Sequence, residues 1–143
     1  MDLKIKGKTA VITGGTKGIG AGIAEVLAAE GVNLALAFRS DAEGAESFTH
    51  SLIQKYGIKA IAIKADVSDP VQADSFYHDV LSYYSTTDIL INNAAGGTPD
   101  GVPFEELTLE QWQTCMDGCL SHVFLMSKYF VQECKRAGHG GHI

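Results

Sequence analysis

The sequence has no run approaching the ~20 consecutive apolar residues that a membrane span requires. It is also short of positive charge: 11 Lys and Arg stand against 17 Asp and Glu, for a net charge of −6. That balance argues against nucleic acid or an anionic membrane as the main partner. The first residues, Met1-Asp2-Leu3-Lys4-Ile5-Lys6, lack the apolar core of a signal peptide, so a cytoplasmic location is expected. Cysteine is scarce. Cys115, Cys119 and Cys134 are an odd number, which points to free thiols rather than a disulfide framework. Cys115, Cys119 and His122 fit one face of a helix, but no second ligand cluster is placed to close a metal site, and none is expected.

What the sequence does have is enough apolar content, 45% of 143 residues, for the core of one domain. It also has 16 glycines, three of them spaced G-x-x-x-G-x-G at Gly14, Gly18 and Gly20. The apolar run Thr9-Ala10-Val11-Ile12 precedes this stretch and a helical pattern, Ile19 to Glu30, follows it. Strand, glycine-rich turn and helix together aim backbone N–H groups and a helix N-terminus at a phosphate. Gly14 permits the tight turn, while Gly18 and Gly20 allow a pyrophosphate to approach and the helix to pack on its strand.

Apolar runs alternate with helical patterns along the whole chain. Strands are predicted over Lys8–Thr13, Asn33–Phe38, Lys59–Lys64 and Asp88–Asn92, with His142-Ile143 beginning a fifth. Helices are predicted over Ile19–Glu30 (ended by Gly31), Ala42–Tyr56 (ended by Gly57) and from Pro70 to about Tyr84, capped by Ser68 or Asp69. Thr108-Leu109-Glu110-Gln111 has the form of a capping box and opens one long helix to about Arg136, with Trp112, Met116, Leu120 and Val123 at core spacing. The loop Gly96-Gly97-Thr98-Pro99-Asp100-Gly101 reads as a connector, with one wall of a substrate site as the other reading. Strongly apolar strands separated by helices predict an α/β fold: a doubly wound parallel sheet in a three-layer α/β/α arrangement, with residues 1–143 as one unit.

Four stretches in order resemble the short-chain dehydrogenase/reductase family: the Thr13–Gly20 turn, Asp66-Val67, Asn92-Asn93-Ala94-Ala95-Gly96, and Trp112 with Asp117. The resemblance implies a Rossmann-type sheet, here with strand order 3-2-1-4 and the start of strand 5, and a bound NAD or NADP. It also implies hydride transfer between the nicotinamide and a small carbonyl or alcohol substrate. Carried over by position, Gly14, Thr16, Lys17, Gly18, Ile19 and Gly20 would line the pyrophosphate and adenosine side. Asp66 would bond the adenine with Val67 beside it, and Asn93, Ala94 and Ala95 would supply ribose and strand-four contacts. NAD sites of this type place an acid at the end of strand two. Here that place is Phe38-Arg39-Ser40, with no carboxylate until Asp41. Arg39 and Ser40, with Lys17 nearby, therefore favour NADP, with NAD as the alternative.

The chemistry that the resemblance implies needs a Ser and a Tyr-x-x-x-Lys pair, and no such pair occurs. Four residues after Tyr56, Tyr77, Tyr83, Tyr84 and Tyr129 stand Ala60, Leu81, Thr87, Asp88 and Glu133. The family places those residues after strand five. The chain is therefore expected to be the N-terminal, cofactor-binding part of a longer domain, C-terminally incomplete and inactive alone. Cys119 occupies the helix position where the family usually has Asn, and no catalytic role is assigned to it. The resemblance also implies a possible homo-oligomer through the 109–136 helix. Two other readings stay open: a non-catalytic NADP(H)-binding or regulatory module, and a truncated fold stabilised by a partner chain.

Overall fold

The computed structural model of the chain describes residues 3–96 and 101–143. Positions 97–100 of the loop read above as a connector lie outside the described residues.

Four parallel strands form the sheet: β1 (Thr9–Ile12), β2 (Asn33–Phe38), β3 (Ala60–Lys64) and β4 (Ile89–Ile91), in the order β3-β2-β1-β4. Val11 is in register with Ala35 on one side and Leu90 on the other. Because side chains alternate along a strand, the two faces build separate cores. Val11, Ala35, Ala37 and Leu90 pack with Phe76 and Val80 of α3 (Pro70–Tyr84) and with Met126 and Phe130 of α5 (His122–Ala137). Ala10, Ile12, Leu34 and Leu36 pack with Ala24 and Ala28 of α1 (Gly18–Ala29) and Leu52 of α2 (Ala42–Tyr56). The result is the three-layer, doubly wound Rossmann-type arrangement expected from the sequence. The fifth strand has begun: His142 forms a parallel bridge with Ile89, and the Leu90 N–H donates to the His142 carbonyl at 2.9 Å.

The helix ends follow local chemistry. Asp41 caps α2 by accepting from the Gly44 N–H at 2.9 Å. Asp69, rather than Ser68, caps α3 by accepting from the Val71 N–H at 2.8 Å, with Pro70 following it. Thr108 and Gln111 form the reciprocal capping box of α4 (Leu109–Met116). Gly57 (φ 67°) and Gly138 (φ 74°) end α2 and α5 in the left-handed region that glycine adopts without steric cost.

The long helix departs from expectation. A π-helical turn, Asp117–Ser121, separates α4 from α5. A π turn carries an extra residue, so the apolar stripe before it and the stripe after it fall out of phase. Trp112 and Leu120, expected in the core, are 49% and 55% exposed, and Met116 and Val123 are half-buried. The buried stripe runs instead through His122, Met126, Phe130 and Cys134. The shared Cys115/Cys119/His122 face is lost for the same reason: His122 is turned into the core while Cys119 is exposed. Among the described residues no cluster of three His, Cys, Asp or Glu side chains is grouped to hold a metal, and no helix is long and apolar enough to cross a membrane.

Candidate cofactor cleft

The glycine turn takes its shape from what glycine allows. Gly14 has φ 62° and Gly18 φ 52°, values at which side chains are strained. A Cβ at Gly20 would run into the Gly14 carbonyl and lie 2.6 Å from Asn93 Nδ2, so α1 can start only over a bare residue. A Cβ at Gly18 would meet nothing within 4 Å, so this part of the turn faces open space.

A buried hydroxyl ties the turn to the end of β4. Thr13 Oγ1 accepts from the Asn93 and Ala94 N–H groups, each at 3.0 Å. Asn93 Nδ2 donates to the Thr13 and Gly14 carbonyls, both at 3.1 Å. The resemblance implies ribose and strand-four contacts for Asn93 with Ala94 and Ala95; here the Asn93 amide nitrogen bonds the backbone of the turn and holds it in place. The neighbouring Asn92 donates to Ser127 Oγ at 3.3 Å, linking β4 to α5.

The N-termini of α2, α3 and α4 are closed by side chains, those of Asp41, Asp69 and Thr108. The α1 terminus is not: Lys17 at its N-cap makes no side-chain cap bond, and no acid lies in its first turn. The first N–H groups of a helix have no partner within the helix, and here no local side chain supplies one. They are oriented to receive an anion.

That terminus opens on a cleft of about 350 Å³ at the C-terminal ends of the strands. This is the crevice where open α/β sheets bind ligands. Of the residues assigned to a cofactor from the sequence, Gly14, Thr16, Lys17, Arg39, Ser40, Asp66, Val67, Ala94 and Ala95 line it. Ile19 (78% exposed), Gly18, Gly20 and Asn93 do not line it, and the last two act by shaping the turn. Phe38, Asp41, Ser68, Gly96, Thr114 and Gly118 line it without having been singled out as site residues. Asp41 stood in plain view as the first carboxylate after strand two. Gly118 carried no local signal. A Cβ there would run into the Gly96 carbonyl, a contact between segments distant in sequence. The π turn docks on the same point, since Cys119 Sγ donates to the Gly96 carbonyl at 3.4 Å.

The charges are unevenly committed. Lys17 Nζ lies 2.9 Å from Asp41 Oδ2. Lys17 beside it, together with the Gly44 N–H, holds the Asp41 carboxyl below its ordinary range. Asp66 accepts from the Ser68 N–H at 3.0 Å and the Ser68 hydroxyl at 2.6 Å, which orders the turn after β3. Arg39 reaches across towards Gly96; a Cβ on Gly96 would lie 3.6 Å from its Nη1. The cleft thus brings together an open helix start at Lys17, the Arg39 guanidinium and apolar side chains at Val67, Ala94 and Ala95.

The sequence profile described as short chain dehydrogenase matches residues 8–143. The chain belongs to this family. Among curated family members it is 35% identical over 124 residues to glucose 1-dehydrogenase 2 of Bacillus subtilis, covering 87% of this chain and 47% of that protein. It is 38% identical over 120 residues to 3beta-hydroxysteroid dehydrogenase 1 of Eggerthella lenta, covering 84% of this chain and 45% of that protein. Among solved structures it is similar to L-sorbose reductase from Gluconobacter frateurii complexed with NADPH and L-sorbose. The TM-score is 0.91 and the identity 32%, over 99% of this chain and 53% of that one. The chain spans about half the length of the curated family members it matches.

Proposed function

We propose that the chain is the cofactor-binding half of an NADP-dependent oxidoreductase acting on carbonyl or alcohol substrates. The observation that carries this reading is the uncapped α1 N-terminus at a cleft that Arg39 also lines. Backbone N–H groups of the glycine turn suit a pyrophosphate, and Arg39 with Ser40 suits a 2′-phosphate better than a bare ribose. The side chains of Val67, Ala94 and Ala95 in the lining suit the flat faces of the nucleotide's rings, and the Asp66 carboxylate suits an adenine amine. When bound, the cofactor supplies the hydride; the residues of this chain bind it, orient it and fix its charge preference. The NADPH bound to L-sorbose reductase supports the choice of nucleotide, and the relatives' names support sugars and steroid alcohols as the breadth of substrates.

Proton transfer needs a Tyr-x-x-x-Lys pair, which the sequence does not contain, so these residues alone are expected to hold NADP(H) without turnover. The exposed Leu120, Phe124 and Val131 favour association of the 109–136 segment with a second copy. A cytoplasmic location fits the same reading. The test joins two measurements on the purified natural protein: intact mass under denaturing conditions, and NADPH consumption with a panel of ketones and ketoses. Turnover is expected only from a polypeptide heavier than this chain. Turnover by this chain alone would overturn the division of labour.

A further inference from the structure

The cleft holds an anion where a phosphate-binding site is least served by one. Asp41 follows the proposed 2′-phosphate residues Arg39 and Ser40 directly in sequence and lines the cleft with them. It cannot readily turn away. Its Oδ1 accepts from the Gly44 N–H at 2.9 Å, closing the start of α2. A Cβ at Gly44 would lie only 2.5 Å from Asp41 Oδ2, so the carboxylate occupies space that any other residue at 44 would fill. Lys17, by contrast, is tied less firmly: its side chain is 66% exposed and, among the described residues, its ion pair is the 2.9 Å contact to Asp41.

We infer that Asp41 is a specificity-determining residue: a fixed counter-anion that occupies Lys17 and restrains the preference of the cleft for the phosphorylated nucleotide. This rests on the NADP reading of the cleft and goes beyond it. A 2′-phosphate entering beside Arg39 brings a charge of about −1.5 to −2. It must draw Lys17 off Asp41 or share it, and in either case it shares the cleft with the Asp41 charge. NAD(H) brings no 2′-phosphate charge to oppose Asp41. The cation that sequence alone reads as a second phosphate ligand is therefore offset within the site, leaving Arg39 as the cation not spent on Asp41.

Asp41→Asn tests this, because Asn caps a helix about as well as Asp and removes only the charge. NADPH and NADH dissociation constants are measured by nucleotide fluorescence on the purified protein, with thermal melting alongside. In the Asn variant NADPH is expected to bind about three- to fivefold more tightly at low salt, with NADH changed less than about twofold. The gain should shrink in high salt, since both groups are solvent-exposed. Lys17→Met should cost NADPH affinity more in the Asn background than in the parent. Asp41→Ser, a second good cap, repeats the measurement if the Asn variant melts early. NADPH affinity unchanged or weakened in cap-preserving variants, while the parent binds NADPH, overturns the inference. Failure of the parent itself to bind NADPH overturns the underlying reading of the cleft, an outcome seen before any variant is made.

Discussion

The starts of α1 and α3 leave parallel strands in the same way and end differently. At α3 the chain closes its own N-terminus: Asp69 accepts from two backbone N–H groups, at 2.8 and 3.3 Å, and Pro70 removes another donor. At α1 the chain spends three glycines, a buried threonine and an asparagine amide to hold the turn, and leaves the donors without a side-chain cap. A cap contributes about 1 kcal/mol for one residue, so omitting it while constraining so much around it is costly in stability alone. The difference separates a helix start closed by its own side chain from one left open at the proposed cofactor site.

Breaking the ligand-ready start should have the largest effect. Gly20→Val drives a side chain into the Gly14 carbonyl and Asn93. It is expected to cost about 3 kcal/mol or more of stability, read by chemical denaturation, and to abolish nucleotide binding with it. A variant that folds at parental stability and still binds would show that the turn is not packed as described. Removing the closed start sharpens the contrast from the other side. Asp69→Ala should lower stability by about 1 kcal/mol, a fall in Tm of about 3–5 °C, and leave NADPH affinity within twofold.

The smallest effect concerns the buried face behind the cleft. His122 is 1% exposed, and neither ring nitrogen has a hydrogen-bond partner among the described residues. Burial depresses its pKa from the ordinary 6.5, although the Asp117 carbonyl, the Asp66 charge and the Gly118 carbonyl pull the other way. A base held neutral in the fold binds fewer protons folded than unfolded, so stability falls as pH drops below 6.5 and is unaffected well above it. Denaturation midpoints on the two sides of that pH should differ less in His122→Leu than in the parent. An equal difference would place the acid sensitivity elsewhere.

Much of this architecture was legible because its causes are local. Gly57 after Tyr56, the Asp69-Pro70 pair and the Thr108–Gln111 box each specify a helix boundary within a few residues. Unbroken apolar runs such as Leu34-Ala35-Leu36-Ala37 specify a strand buried on both faces. The turn's glycines were legible as a set, but the division of labour among them was not. Gly20 is bare because the Gly14 carbonyl and the Asn93 amide press on it, and Asn93 serves the turn through contacts spanning about eighty positions. The π turn was illegible for the same reason. Its residues, Asp117 to Ser121, continue an acceptable helical pattern, and only the docking of Gly118 and Cys119 on the Gly96 carbonyl marks the break. The Lys17–Asp41 pair lay between, with both charges visible in the sequence and their pairing set by the fold.

The central claim is that the α1 start and Arg39 form two halves of one phosphorylated-dinucleotide site. The most direct test is a fluorescence titration of NADPH and NADH against the purified protein and Arg39→Glu. The account expects saturable NADPH binding by the parent, tighter than NADH, and a loss of at least about tenfold in NADPH affinity in the Glu variant, with NADH little changed. Equal NADPH affinity in the parent and the Glu variant, or no NADPH binding by the parent, would contradict it.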